Sequence, residues 1–270
     1  MRAFAEMVMR GRMQACFIAF IGFALPFISS AVIGLVTLRK GSIEGVIVML
    51  WALLPVILSY FYSEANPYLA IVSAVLILTS LLVALVLRIV SRWDKTLIAA
   101  VLISIFFTLI TAAMFETQLE SFMEWANEIF KVSLFGNMLI LVGMGVAINA
   151  VIGLIIARWW QALLYNPGGF QKEFHALKLD KMLGVSCLIL ALIGSVINSG
   201  FWTWLQLASL PLLFCGISVV HFTVKFLNLR KFWLGLMYVS MLLGPMSVLL
   251  AGLGAADSLL NLRERLIEHQ

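Results

Sequence analysis

The sequence predicts an all-α polytopic transmembrane bundle. Hydrophobic residues make up 63% of the chain and charged residues only 11%, against roughly 25% charged in a soluble domain. Charge-free windows too long for ordinary core helices recur at 13–38, 46–63, 65–87, 96–115, 132–157, 182–224 and 232–256. The longest of these divides at Asn198-Ser199-Gly200, a turn signal, which gives eight membrane segments in one domain over 1–270.

The first segment follows Arg2, Arg10 and Arg12. Ser29-Ser30-Ala31 imitates a signal-peptide cleavage site, but the apolar run continues past Pro26 to Leu38 and Glu6 is unusual before a signal sequence, so the segment is expected to be retained. Basic residues then choose the sides of the membrane. Arg88, Arg92 and Lys95 lie between segments three and four, Arg158, Lys172, Lys178 and Lys181 between five and six, and Lys225, Arg230 and Lys231 between seven and eight. These loops are expected on the cytoplasmic side of a bacterial inner membrane. Glu64, the stretch 116–131 and the 198–200 turn fall on the other side.

Segment one breaks this order, because Arg39 and Lys40 follow it while three arginines precede it. One crossing cannot keep both flanks on one side. Pro26 sits midway, removing a donor and disfavouring helix at Leu25. A broken or re-entrant first segment resolves the conflict if its irregular backbone is buried in protein; the rival is eight full crossings with both termini outside. Gly244-Pro245 marks a similar break in the last segment, leaving six firm spans between two ambiguous ends.

The stretch 116–131 places Glu116, Glu120, Glu124 and Glu128 on one helical stripe, as in an outer amphipathic helix with a solvated acidic face. A cation-collecting lid or a docking strip for a basic partner is the sharper reading. One straight stripe cannot surround a hard metal ion. In segment five, Gly145, Asn149, Gly153 and Ala157 recur every fourth residue, predicting a close-packed seam with Asn149 facing protein. Asn149, Asn198, Gln206 and His221 are the candidate ligand contacts, and Trp202 and Trp204 the expected interface anchors beside Gln206.

Cys16, Cys187 and Cys215 all lie in apolar runs and read as small hydrophobes, not as disulfides or metal ligands. No catalytic or phosphate-loop motif is present. A net charge of +5 is too dispersed for nucleic acid. These features predict a non-enzymatic membrane protein without metal or cofactor, which binds or helps move a small or lipidic solute. The alternative is a scaffold that recruits protein partners without a transported substrate. A lipid-modifying enzyme would be expected to bring His175 near Asp257 or Glu173 in one cleft.

The elbow 158–181 is the most informative loop. Arg158, Trp159 and Trp160 read as a membrane boundary, and Asn166-Pro167-Gly168-Gly169 as a turn. Phe170, Phe174 and Leu177 then share a helical face among Lys172, His175, Lys178 and Lys181, a pattern suited to an interfacial docking surface for anionic lipid. The run from Arg158 to Phe170, together with Gly252-Leu253-Gly254, Asp257, Asn261, Leu262 and Arg263, resembles the YybS-like family of bacterial membrane proteins. That family is distantly similar to the S components of energy-coupling-factor vitamin transporters. The resemblance implies a bundle of about six helices that captures a small solute from outside. It also implies that small residues on the first helix, here Ala15 and Ala19 with Phe23, dock a membrane partner.

Overall fold

A computed structural model describes residues 1–25, 27–62, 66–130, 138–197 and 200–268. It is 90% helical, with no strand among the described residues. Fourteen α-helices appear in that set: α1 (Arg2–Arg10), α2 (Arg12–Ile21), α3 (Ile28–Lys40), α4 (Ser42–Tyr62), α5 (Pro67–Val90), α6 (Trp93–Met114), α7 (Glu116–Phe130), α8 (Met138–Tyr165), α9 (Gly169–His175), α10 (Lys181–Ile197), α11 (Ser209–Phe226), α12 (Phe232–Ser240), α13 (Gly244–Leu260) and α14 (Leu262–Glu268). Short 3-10 turns, Gly22–Ala24 and Gly200–Ala208, precede α3 and α11.

Five helical stretches among the described residues are long and apolar enough to cross a membrane, or six if the bent pair α12–α13 counts as one span. The chain is thus a multi-pass helical membrane protein by length and composition. The expected segment six is α10, whose 17 residues reach only about 25 Å at 1.5 Å per residue, short of a ~30 Å hydrocarbon core. The last segment breaks by 116° between α12 and α13. Pro245 opens α13 there, where its missing N–H costs nothing.

The helices form two compact units, one of residues 1–92 and 99–170, the other of 93–98 and 171–270. In the first unit, segment one folds into a hairpin of two half-length helices. Arg12 at the start of α2 pairs with Glu44, just beyond the end of α3, with Nε donating to Oε2 at 2.9 Å. At the opposite end Ser29 Oγ donates to the carbonyl of Ala19 at 2.7 Å. The two helices therefore run antiparallel, with the Gly22–Ala24 turn following α2 and Phe27 preceding α3. Their 10 and 13 residues span only about 15 and 20 Å, each short of a ~30 Å hydrocarbon core. This geometry removes the charge conflict, because Arg12, Arg39 and Lys40 all stay at one end.

Side chains from neighbouring helices hold the hairpin. Arg88 Nη1 at the end of α5 donates to the carbonyls of Thr37 and Leu38 at 2.9 and 2.7 Å, satisfying acceptors that the end of α3 leaves free. Ala15 and Ala19 of α2 are buried within the unit, so they present no docking face, whereas Phe23 is exposed. Trp160 corrects another expectation. It is fully buried, with Phe4 of α1 packed edge-on at 5.2 Å, and so is core and not an interfacial anchor. Amphipathic α1 covers it, while Trp159 keeps 36% exposure.

In the second unit α11 and α13 approach closest, because Gly216 leaves no room between itself and the Leu250 carbonyl, and Gly254 none before that of Leu212. A methyl on Gly184 of α10 would meet Ser258 Cβ at 2.6 Å. Cys187 and Cys215 pack here as buried free thiols, and Cys16 does so in the first unit.

Candidate functional site

The hairpin turn meets α5 and α8 in a cavity of about 110 Å³. Asn149 lies 11 residues from the start of α8 and 16 from its end, and Ser80 lies 13 and 10 residues from the ends of α5, so both are near mid-helix. Ser30 Oγ donates to Asn149 Oδ1 at 2.7 Å, and Ser80 Oγ to Ser30 Oγ at 2.9 Å, placing Ser80 within 3.5 Å of the amide oxygen. Ser29, Ser30, Ser73 and Asn149 give the cavity wall its polar character, while Phe23, Leu25 and Ile77 complete it. None of the described residues accepts from Asn149 Nδ2, which leaves two donors for an occupant.

Backbone geometry adds to this character. α3 starts at the cavity, so its first peptide dipoles turn positive ends toward the space. Phe27 immediately before it sits at φ 64°, an uncommon conformation for a bulky residue, where the chain reverses. The cavity has the volume of about three or four waters. It suits a small polar or anionic group.

The seam on α8 is real but shorter than its spacing predicts. A methyl on Gly153 would come within 2.6 Å of Ser30 Cβ, and one on Gly34 within 2.9 Å of Ala157 Cβ. Gly145 is exposed, with nothing within 4 Å of the same position, and does not belong to the seam. Ser30 packs beside Gly153 and Gly34 beside Ala157, so α3 runs parallel to α8 and begins at the depth of Asn149. One turn further, no α3 remains to pack against Gly145.

The other expected contacts are dispersed. Gln206 Nε2 donates to the Gly194 carbonyl at 3.1 Å, tying the Gly200–Ala208 turn to α10. His221 Nε2 lies 2.8 Å from Tyr238 Oη, linking α11 to α12. Asn198 lies outside the described residues. Trp202 is exposed, but Trp204 is buried and is no surface anchor. The glutamates 116, 120, 124 and 128 are all exposed, as a solvated face requires. Arg158 Nη1 donates to Gln161 Oε1 at 2.6 Å, and the Asn166–Gly169 turn closes with a 2.9 Å backbone bond and φ 82° at Gly168.

The second unit gathers a different set. Asp257 and Arg263 form a buried ion pair, with Nη2 and Nε 2.7 and 3.1 Å from Oδ2. The same guanidinium donates to the carbonyls of His175 and Leu177, fastening the chain after α9 to the α13–α14 corner. His175 and Asp257 thus share one cleft, but Arg263 occupies the carboxylate that would orient the histidine. Burial first, and then the charges of Arg263 and Lys225, hold the His175 ring below the ordinary histidine range.

Sequence reasoning singled out Asn149 but missed Ser30 and Ser80, whose only signal was a hydroxyl inside an apolar run; Pro26 lies outside the described residues. The fold defines a multi-pass helical membrane protein. Comparison with family models, curated proteins and solved structures found no match to this chain.

Proposed function

We propose that this is a bacterial inner-membrane protein that binds a small polar solute at the half-helix junction of its first unit. One observation carries the reading: two half-length helices meet beside a polar cavity at mid-helix depth, with both amide hydrogens of Asn149 unspent. Broken helices in membrane proteins place helix ends and irregular backbone where a ligand replaces water. The cavity volume takes a polar group of a few heavy atoms. The likeness to S components agrees with solute capture, but buried Ala15 and Ala19 argue against their mode of coupling.

Native mass spectrometry on the full chain, released gently from detergent, tests the proposal. The wild type should retain a small molecule that Asn149→Leu loses, while both proteins keep the same helical circular dichroism. An interior holding only water, or equal retention by the variant, would refute the assignment.

A further inference from the structure

The second unit holds a cleft that the proposed solute site does not use. It measures about 480 Å³ and lies between α9, α11 and the α13–α14 corner. Lys172, His175, Lys178, Asn261, Arg263 and Glu264 supply most of its polar wall. We propose that this cleft binds a phosphate-type anion, with Lys172 and Lys178 as the primary contacts and Arg263 as a fixed positive wall.

The Asp257 carboxylate is spent on Arg263, accepting from its backbone N–H and twice from its guanidinium. Glu264 is then the only other acid on the wall. Among the described residues, neither Lys172 nor Lys178 has a carboxylate within ion-pairing distance. Lys178 is half-buried and donates only to the neutral Asn261 Oδ1, which leaves two ammonium hydrogens directed elsewhere. A partly desolvated cation without an anionic partner is costly, and an incoming phosphate removes that cost.

The architecture also prebuilds the site. Arg263 ties the His175 and Leu177 carbonyls, and Ser218 Oγ donates to the Phe174 carbonyl at 2.5 Å. The backbone carrying Lys172 and Lys178 is thereby anchored before any ligand arrives. A bare phosphate would fill a small part of 480 Å³, so the cleft suits a phosphate carried on a larger group. A lipid headgroup and a soluble phosphate ester both supply that chemistry.

The test uses the full chain in phosphatidylcholine nanodiscs. Inorganic phosphate is titrated by calorimetry, and discs doped with phosphatidic acid are examined by native mass spectrometry for retained lipid. The wild type should bind at least one probe. K172Q/K178Q should weaken that binding roughly 10- to 30-fold, at the strength expected of two basic residues near an anionic headgroup. Lys231→Gln, outside both the cleft and the elbow, should leave it unchanged, and K172R/K178R should restore it, showing that the loss is not misfolding. Retained phosphatidic acid without a phosphate response assigns the site to lipid. A response to phosphate in undoped discs assigns it to a soluble ligand. Binding of neither probe, or an equal loss in K231Q, overturns the proposal.

Discussion

The two units meet the difficulty of placing polarity in an apolar molecule in opposite ways. The first keeps its polar groups neutral and deep: Ser30, Ser80 and Asn149 form a hydrogen-bonded chain near the middle of α5 and α8. The second keeps its charges at helix ends: Asp257 and Arg263 flank the corner after α13, and Lys172 lies in the last turn of α9 with Lys178 just beyond it. Transfer cost explains the division. A charge at the centre of a membrane helix costs about 2.5–3.5 kcal/mol or more, whereas hydroxyl and amide groups satisfy one another locally. Depth selects neutral networks, and helix ends tolerate ions.

The largest test of this contrast is Arg263. The residue is 8% exposed and Asp257 fully buried, so Arg263→Met leaves a carboxylate without its cation. A loss of about 3–5 kcal/mol is expected, read as a fall in the apparent melting temperature in detergent. Adding Asp257→Leu should recover most of it. A single variant as stable as the wild type would show the pair to be expendable, and the contrast would fail at its charged end.

Packing supplies the next effect. Gly254→Val would drive a side chain into the Leu212 carbonyl, and Gly153→Val would meet Ser30. Each should cost about 1–3 kcal/mol by overpacking, with the larger loss at Gly254, where the obstacle is backbone. Gly145→Val should be silent, because that position faces open space. The same melting experiment ranks all three.

Those three glycines show what the sequence discloses. Spacing by four placed Gly145, Asn149, Gly153 and Ala157 on one face, but spacing says nothing of where the facing helix stops. α3 begins only beside Asn149, so Gly145 has no partner on it. A broken first segment was one of two readings that the charges on both flanks allowed, beside a full crossing, and the antiparallel packing of α2 on α3 takes the first form. Trp160 was misread since a Trp beside Arg describes a boundary equally well whether or not another helix covers it. Ser30 and Ser80 are ordinary in isolation, and only the fold brings them 2.9 Å apart. Asp257 and Arg263 were visible as a short motif, but their shared grip on the His175 carbonyl depends on a segment more than eighty residues away.

The neutral network should respond more gently than the charged one. Asn149→Leu removes the acceptor of Ser30, and interhelical hydrogen bonds in membranes average about 0.6 kcal/mol, reaching about 1.7. Stability should therefore fall by no more than about 2 kcal/mol. Ser30→Ala in the Asn149→Leu background should cost little further, since the partners act as a pair. Full additivity of the two losses would mean that they do not interact.

The smallest effect concerns proton linkage in the second unit. His175 faces Lys172, Lys178, Arg263, Asp257 and Glu264 in the cleft and feels Lys225 from α11. Burial, reinforced by Arg263 and Lys225, holds its pKa below the unfolded value. The empty protein therefore loses stability as pH falls below about 6.5, because the unfolded chain takes up the proton more readily. An anion in the cleft favours the imidazolium and raises that pKa, so the complex binds more protons than the empty site. Binding should tighten a few-fold as pH falls from about 7.5 to about 6. Sulfate is the right probe, since its own charge stays constant over that range. In His175→Gln the affinity for sulfate should become flat with pH. A pH dependence that survives the substitution would separate the histidine from the anion site and leave the lysines to act alone.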